Sequence, residues 1–138
     1  MKTRNFAPVF LLLLLAATLS GCGKLFPPGP EQVTKEWYEA LGAVDSARMY
    51  QLTHPDQRET LQRTLDNPIT SLLKLTGLSG ITYFDMKYEV VAKDGDMAQV
   101  HVTGKASTKL GSITDVDETV ELRRYDDRWY IWNPGSGW

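Results

Sequence analysis

Residues 118–133 read ETVELRRYDDRWYIWN, and this stretch decides what kind of domain the chain forms. In residues 116–123, apolar side chains at 116, 120 and 122 share one parity and polar ones at 117, 119, 121 and 123 share the other. In residues 129–132, after a predicted turn at 125–128, the residues at 129 and 131 share one face and those at 130 and 132 share the other. A period of two is typical of a strand with one buried face. The stretch therefore predicts two antiparallel strands that direct inward Val116, Val120, Leu122, Trp129 and Ile131.

The same period occurs in two segments further upstream. Residues 84–90 alternate, and so do residues 98–103, with the hairpin signal Lys-Asp-Gly-Asp at 93–96 between them. The pattern predicts that these two strands direct inward Phe84, Met86, Tyr88, Val90, Ala98, Val100 and Val102.

The first half of the domain has helical spacing instead. In PEQVTKEWYEALGAV, residues 30–44, the apolar positions fall at steps of four and three, which places Val33, Trp37 and Leu41 on one face. We expect Asp45 to cap a second helix, His54-Pro55 to break the chain and a third helix to cover residues 56–65. Asn67-Pro68 predicts a fourth helix that ends at Gly77. Helices followed by an antiparallel meander predict an α+β domain.

The N-terminus has the composition of an export signal. Lys2 and Arg4 precede an almost wholly apolar run over residues 6–19. A membrane-spanning helix needs about 20 apolar residues, so this shorter run, which ends in small residues, favours a secretory signal peptide over an anchor helix.

Leu19-Ser20-Gly21-Cys22 resembles the lipobox of bacterial lipoproteins, and Cys22 is the only cysteine in the chain. The resemblance implies cleavage between Gly21 and Cys22 and acylation of Cys22, whose thiolate accepts the lipid. The alternative is an ordinary secreted protein with a free thiol, which is a liability in an oxidising compartment. Because residue 23 is glycine rather than aspartate, the sorting rule of enteric lipoproteins implies the outer membrane in a Gram-negative source.

These boundaries predict a signal peptide at 1–21, a lipidated cysteine with a Pro/Gly tether at 22–30 and one domain at 31–138. Removing residues 1–21 takes away two of the 15 basic residues and none of the 17 acidic ones, so the net charge moves from −2 to −4. A mildly acidic chain argues against nucleic acid as a partner. We expect two or more acyl chains on Cys22 to hold the protein at the membrane surface.

The order of elements resembles the nuclear-transport-factor-2-like superfamily, and in particular its small bacterial lipoproteins of unassigned function. The resemblance rests on VTKEWYEALGAVDSARMYQL, on DMAQVHVTG and on ETVELRRYDDRWYIWN. It implies a cone in which a curved antiparallel sheet wraps the N-terminal helices. The pair Asp126-Asp127 stands where the family typically has an acidic turn with glycine, so the turn type is left open.

The predicted inner surface offers a candidate pocket lined by Trp37, Tyr88 and Trp129, although a plain core explains most of the inward set. The sequence contains no glycine-rich phosphate loop, no histidine pair at zinc spacing and no Gly-x-Ser-x-Gly elbow. His54 is interpreted as a capping or solvent-exposed residue and His101 as a surface residue. The acidic residues Asp115, Asp117 and Glu118 are interpreted as a solvated edge. No catalytic residue, metal site or cofactor is predicted.

The outer face of the sheet is the predicted interaction surface, with Tyr83, His101, Tyr130 and Trp132 as its anchors. Large amphipathic side chains with a polar rim have the composition of a protein interface. The leading hypothesis is a lipid-anchored, non-catalytic envelope domain that binds a protein or small ligand, with homodimerisation implied by the resemblance. The alternatives are a small enzyme that acts on an apolar substrate in the cone, and a structural accessory of a larger envelope complex.

Overall fold

The structure, a computed structural model, describes residues 26–69 and 80–135. Within these residues, three α-helices and one 3₁₀ turn precede a four-stranded antiparallel sheet of order β1-β2-β3-β4. The predicted α+β class is confirmed. The elements are α1 (Pro30–Ala43), α2 (Ser46–Leu52), the 3₁₀ turn (Pro55–Gln57), α3 (Arg58–Leu65), β1 (Ile81–Asp94), β2 (Met97–Thr108), β3 (Ile113–Tyr125) and β4 (Arg128–Asn133).

Helix α1 begins with Pro30 at its first position, where the missing N–H of proline costs nothing. The helix thus begins one residue before the predicted domain boundary at residue 31. Val33 and Trp37 are buried as predicted. The same helix also buries Thr34 and Tyr38, which the spacing of apolar residues did not identify.

The connection after α1 follows the predicted capping signals. The Asp45 carboxylate accepts a hydrogen bond from the Arg48 N–H at 3.0 Å and caps α2. The chain breaks before Pro55, and the His54 N–H there donates to the Ile131 carbonyl at 2.8 Å. The connection is thereby attached to the edge of β4.

Asn67 caps the start of the next helical turn, because its side chain accepts from the Ile69 N–H at 2.9 Å. The remainder of the predicted fourth helix, including its expected end at Gly77, lies outside the described residues. The same is true of the predicted signal peptide and of Cys22.

Two tight turns bring the strands together. Gly95, at φ 54°, lies in the two-residue turn between β1 and β2, at the predicted position. Asp126 and Asp127 form the turn between β3 and β4 with φ values of 49° and 58°. Positive φ at both central residues is the signature of a type I′ hairpin, and aspartate is one of the few residues that tolerate it. The β3–β4 turn is therefore of type I′, which the sequence alone left open.

An irregularity in β1 corrects the predicted faces of that strand. The pairing with β2 shifts between Phe84 and Lys87, and Asp85 has a φ of 55°. This β-bulge adds a residue to one side of the ladder and reverses the alternation. Tyr83 therefore packs against the core, and Phe84, which was predicted to point inward, lies across from Lys105 on the opposite face.

The core lies between α1 and the inner face of the sheet. On β2, β3 and β4, the core residues occupy positions that the sequence pattern predicted to point inward, and none of them exposes more than 9% of its surface. They are Ala98, Val100, Val102, Val120, Leu122, Trp129 and Ile131.

Candidate functional site

Three tyrosines from two elements meet at the inner face of the sheet. The rings of Tyr38 on α1 and Tyr83 on β1 lie edge to face with centroids 5.1 Å apart, and the Tyr88 ring lies 6.0 Å from that of Tyr38. Gly42 permits this arrangement, because a β-carbon there would lie 2.8 Å from the Ile81 carbonyl oxygen. The three rings line an open cleft of about 390 Å³, called here the tyrosine cleft, together with Met86 and, at its rim, Lys35 and Glu39.

A carboxylate lies close to these rings. The Tyr38 hydroxyl donates a hydrogen bond to Glu118 of β3, although 80 residues separate the two in sequence. Glu118 was predicted to belong to a solvated edge with Asp115 and Asp117. It is instead half-buried on the inner face, opposite Val102.

The environment raises the pKa of all three tyrosines, so they stay protonated well above neutral pH. Burial, followed by the hydrogen bond to Glu118, raises the pKa of Tyr38 far above its ordinary value. Burial raises the pKa of Tyr83 to about 12, with a smaller contribution from Glu118. Burial and the charge of Glu39 raise the pKa of Tyr88 to about 12. The hydroxyls therefore act as hydrogen-bonding groups and not as bases.

The outer face carries an aromatic group at the edge formed by β4. The Arg123 guanidinium lies 3.5 Å from the centroid of the Trp132 ring, a cation–π contact. Tyr130 shares this face, and Tyr125, the last residue of β3, is 54% exposed. These residues form what is called here the β4 aromatic group.

His54 completes the β4 aromatic group and is buried, with 6% of its surface exposed. Its ring makes edge-to-face contacts with Tyr125, Tyr130 and Trp132 at centroid distances of 5.7, 6.4 and 5.0 Å. Its Nδ1 accepts from the Asp56 N–H at 3.3 Å, so the predicted capping role is present and solvent exposure is not. Sequence reasoning missed this site because the bridge from Thr53 to Ile131 joins segments that are distant in the chain.

Burial lowers the pKa of His54 below its ordinary value, and Arg123 and Arg58 lower it further. The Asp56 carboxylate, 3.8 Å from Nδ1, partly opposes this shift. The folded protein therefore favours the neutral imidazole.

The predicted interaction residues do not form one patch. His101 lies on the outer face, where its Nε2 is 2.7 Å from an Asp117 carboxylate oxygen. Tyr130 and Trp132 lie at the β4 edge, and Tyr83 lies on the inner face because of the bulge in β1. The placement of Tyr83 on the outer face was wrong.

The predicted pocket residues are also separated. Tyr88 lines the tyrosine cleft, Trp37 lines a depression between α3 and β4, and Trp129 lines a groove beside the β3–β4 turn. Trp37 and Trp129 are core residues with 1% and 9% exposure.

Within residues 26–69 and 80–135, no three histidine, cysteine, aspartate or glutamate side chains are grouped so that they could hold a metal ion. In the same part of the chain, no helix has the length and apolar character needed to span a bilayer.

The fold is similar to the solution structure of a SEC-C motif containing protein from Rhodopseudomonas palustris. The TM-score is 0.58 at 15% sequence identity, over 75% of this chain and 75% of that one. A likeness at this identity concerns the fold alone. No protein-family model matches the sequence, and no curated protein matches it.

Proposed function

We propose that this chain is a lipid-anchored protein of the bacterial cell envelope, with a nuclear-transport-factor-2-like domain that binds a protein partner through the outer face of its sheet. The anchor is Cys22, in the outer membrane if the source is Gram-negative. The observation that carries the binding role is the stack of Arg123 on Trp132 within the β4 aromatic group, at the β4 edge of the sheet. Arginine and large aromatic residues are the side chains most enriched at binding hot spots.

The lipid anchor is supported by the sequence Leu19-Ser20-Gly21-Cys22 after an apolar run. The described domain begins only a few residues later, with Phe26 88% exposed and α1 starting at Pro30. Residues 23–29 are therefore a short linker, which keeps the domain close to the lipid surface.

A second copy of the chain is the partner that the outer face fits best. Lys87 and Lys105 lie on the first two strands, and Asp115 and Asp117 lie on the third. In a two-fold arrangement, the basic side of one copy faces the acidic side of the other, and each such contact occurs twice. Charge complementarity of this kind favours one arrangement over others.

Replacement of Cys22 by serine tests the anchor. The wild type should incorporate labelled palmitate and fractionate with membranes, whereas Cys22→Ser should do neither. An unlabelled wild type, or a Cys22→Ser chain that stays in the membrane as an uncleaved precursor, contradicts the proposal and favours an anchor helix.

A photoreactive amino acid at Thr119, an exposed position in the middle of the outer face, tests the partner in intact cells. We expect a crosslinked product of twice the mass of the chain, and none from the same amino acid at Thr60, which is exposed on α3. A crosslinked product with a different envelope protein would mean that this face binds that protein and not a second copy of the chain. No product from position 119 contradicts the binding role of this face.

A further inference from the structure

The carboxylates around the tyrosine cleft lack a matching set of basic side chains. Glu118 is half-buried, yet within the described residues neither it nor Glu39 forms an ion pair with a lysine or arginine within 4.0 Å. Among the described residues that line the cleft, Lys35 is the one basic side chain and Glu39 the one acidic side chain. Glu39 at the rim and Glu118 behind Tyr38 both attract a cation placed in the cleft.

The hydroxyls in the cleft are also available to a ligand. The Tyr38 hydroxyl is used by Glu118. Those of Tyr83 and Tyr88 make no hydrogen bond to another side chain or backbone group among the described residues, and neither is completely buried. Each can accept a hydrogen bond from an N–H group. The cleft is otherwise lined by Gly42, Ile81, Thr82 and Met86, with Lys35 and Glu39 at its rim.

The aromatic walls favour positive charge as well. The faces of tyrosine rings attract cations, and the attraction strengthens when the site is partly desolvated. The volume of about 390 Å³ lies at the small end of the range for ligand pockets, which suits a short aliphatic group that packs on Met86.

We propose that the tyrosine cleft binds a small organic cation, specifically an alkylammonium group. Its N–H groups donate to the Tyr83 and Tyr88 hydroxyls and to the Glu39 carboxylate, while its alkyl chain lies against Met86 and the tyrosine rings. Glu118, through Tyr38, adds negative potential from behind the rings. This role is independent of the lipid anchor and of the outer face, because the cleft lies on the opposite side of the sheet.

The experiment is a titration of the ¹⁵N-labelled full chain, in micelles of a non-ionic maltoside, with n-butylammonium chloride. Butan-1-ol serves as the uncharged probe of similar shape, and tetramethylammonium as a cation without N–H donors. We expect butylammonium to give saturable shifts of the Tyr83 and Tyr88 amide signals, butanol to give none, and tetramethylammonium to bind more weakly. Equal shifts with butanol overturn the role of charge, and tighter binding of tetramethylammonium overturns the role of the hydroxyls.

Matched variants separate local binding from a general effect of net charge. Glu39→Gln should weaken butylammonium binding about fivefold, because an exposed charge pair of up to about 1 kcal/mol is lost. Glu31→Gln removes the same charge from the exposed first turn of the same helix and should leave the affinity unchanged. If both variants weaken butylammonium binding equally, or if neither weakens it, the proposed binding site is wrong. Tyr88→Phe should also weaken binding, with Tyr50→Phe on α2 as its control.

Discussion

Gly104 of β2 lies directly against Met86 of β1. A β-carbon at residue 104 would overlap the Met86 sulfur and would lie 3.0 Å from the Met86 Cα and 3.2 Å from the Asp85 carbonyl oxygen. Glycine at this position is what allows the bulge at Asp85 to fit against the neighbouring strand. The bulge in turn moves Tyr83 to the inner face, beside Tyr38.

Gly104→Ala should therefore destabilise the domain by about 1–3 kcal/mol, the usual cost of forcing extra volume into a packed site. Urea unfolding followed by tryptophan fluorescence measures this cost. Gly29→Ala is the control, because a β-carbon there meets only Glu31 at 3.9 Å. A change to alanine at the helix N-cap costs about 1 kcal/mol or less. Equal losses in the two variants would mean that the bulge does not depend on Gly104.

The bulge that Gly104 and Met86 accommodate explains why the predicted inward and outward faces were wrong on part of β1 and correct on the other strands. Alternation reports a face only while the ladder is regular, and a bulge reverses it after one residue. In the β2–β3 pairing no irregularity interrupts the buried positions from Ala98 to Val102 and from Val120 to Leu122, so the predicted period holds there. The β3–β4 pairing shifts between Glu121 and Leu122, after the buried residues Trp129 and Ile131 of β4, so their predicted faces are unaffected.

The sites were harder to predict because contacts between distant segments create them. Tyr38 reaches Glu118 across the core, and His54 reaches Trp132 through a backbone bridge to β4. The residues next to these positions in the sequence give no indication of either contact. The turn at Asp126-Asp127 was located correctly, but its positive φ values required the structure.

Tyr38→Phe should leave the Glu118 carboxylate half-buried without its donor. Hydrogen bonds to charged groups contribute about 1.5–3 kcal/mol, so a loss of that size in the free energy of unfolding is expected. Tyr50→Phe removes a hydroxyl from an exposed ring and should change stability little. Thermal and urea unfolding of both variants give the comparison, and losses of similar size would show that the bond to Glu118 adds no stability.

Asp127→Gly should stabilise the protein by about 0.5–1 kcal/mol. Asp127 has a φ of 58° at the second position of a type I′ turn, where glycine carries no steric penalty and is strongly preferred. The hydrogen bond that its carboxylate accepts from Arg124 is fully solvent-accessible on the aspartate side, so its loss is minor. Asp96→Gly, in the other hairpin turn but outside the residues with positive φ, should be neutral or destabilising. A higher melting temperature for Asp96→Gly than for Asp127→Gly would contradict the turn assignment.

Stability should fall as His54 becomes protonated. Its pKa in the folded protein lies below the ordinary value of about 6.5, so the folded state binds this proton less readily than the unfolded state. The contribution of His54 to stability is therefore complete above pH 6.5 and is lost as the pH falls through that value and below it.

Urea unfolding at pH 7.5 and 5.5 tests this pH dependence in wild type, His54→Gln and Asp56→Asn. His54→Gln should lose less stability between the two pH values than wild type, since it has no imidazole to protonate. Asp56→Asn should lose more, because it removes the carboxylate that raises the His54 pKa. If wild type and His54→Gln lose the same stability between the two pH values, protonation of His54 does not affect the stability of the fold.

If the lipid anchor is correct, the domain has a defined orientation on the membrane. Phe26, Pro27 and Pro28 line a groove together with the β3–β4 turn at 126–128. Only three residues lie between Cys22 and Phe26, and the four Cα–Cα steps span at most about 14 Å. The β3–β4 turn should therefore lie near the lipid surface, and the β2–β3 turn with Leu110 should lie far from it, since the 13 residues of β3 extend over about 40 Å.

A fluorophore at Asp127→Cys and another at Leu110→Cys test this orientation, because the lipid occupies the thiol of Cys22. In vesicles that contain nitroxide-labelled headgroups, the fluorophore at position 127 should be quenched strongly and the one at position 110 little. Both positions lie in turns, and both side chains are exposed, so the labels have comparable freedom. Equal quenching would show that the linker does not orient the domain, and stronger quenching at position 110 would place the opposite end of the sheet at the membrane.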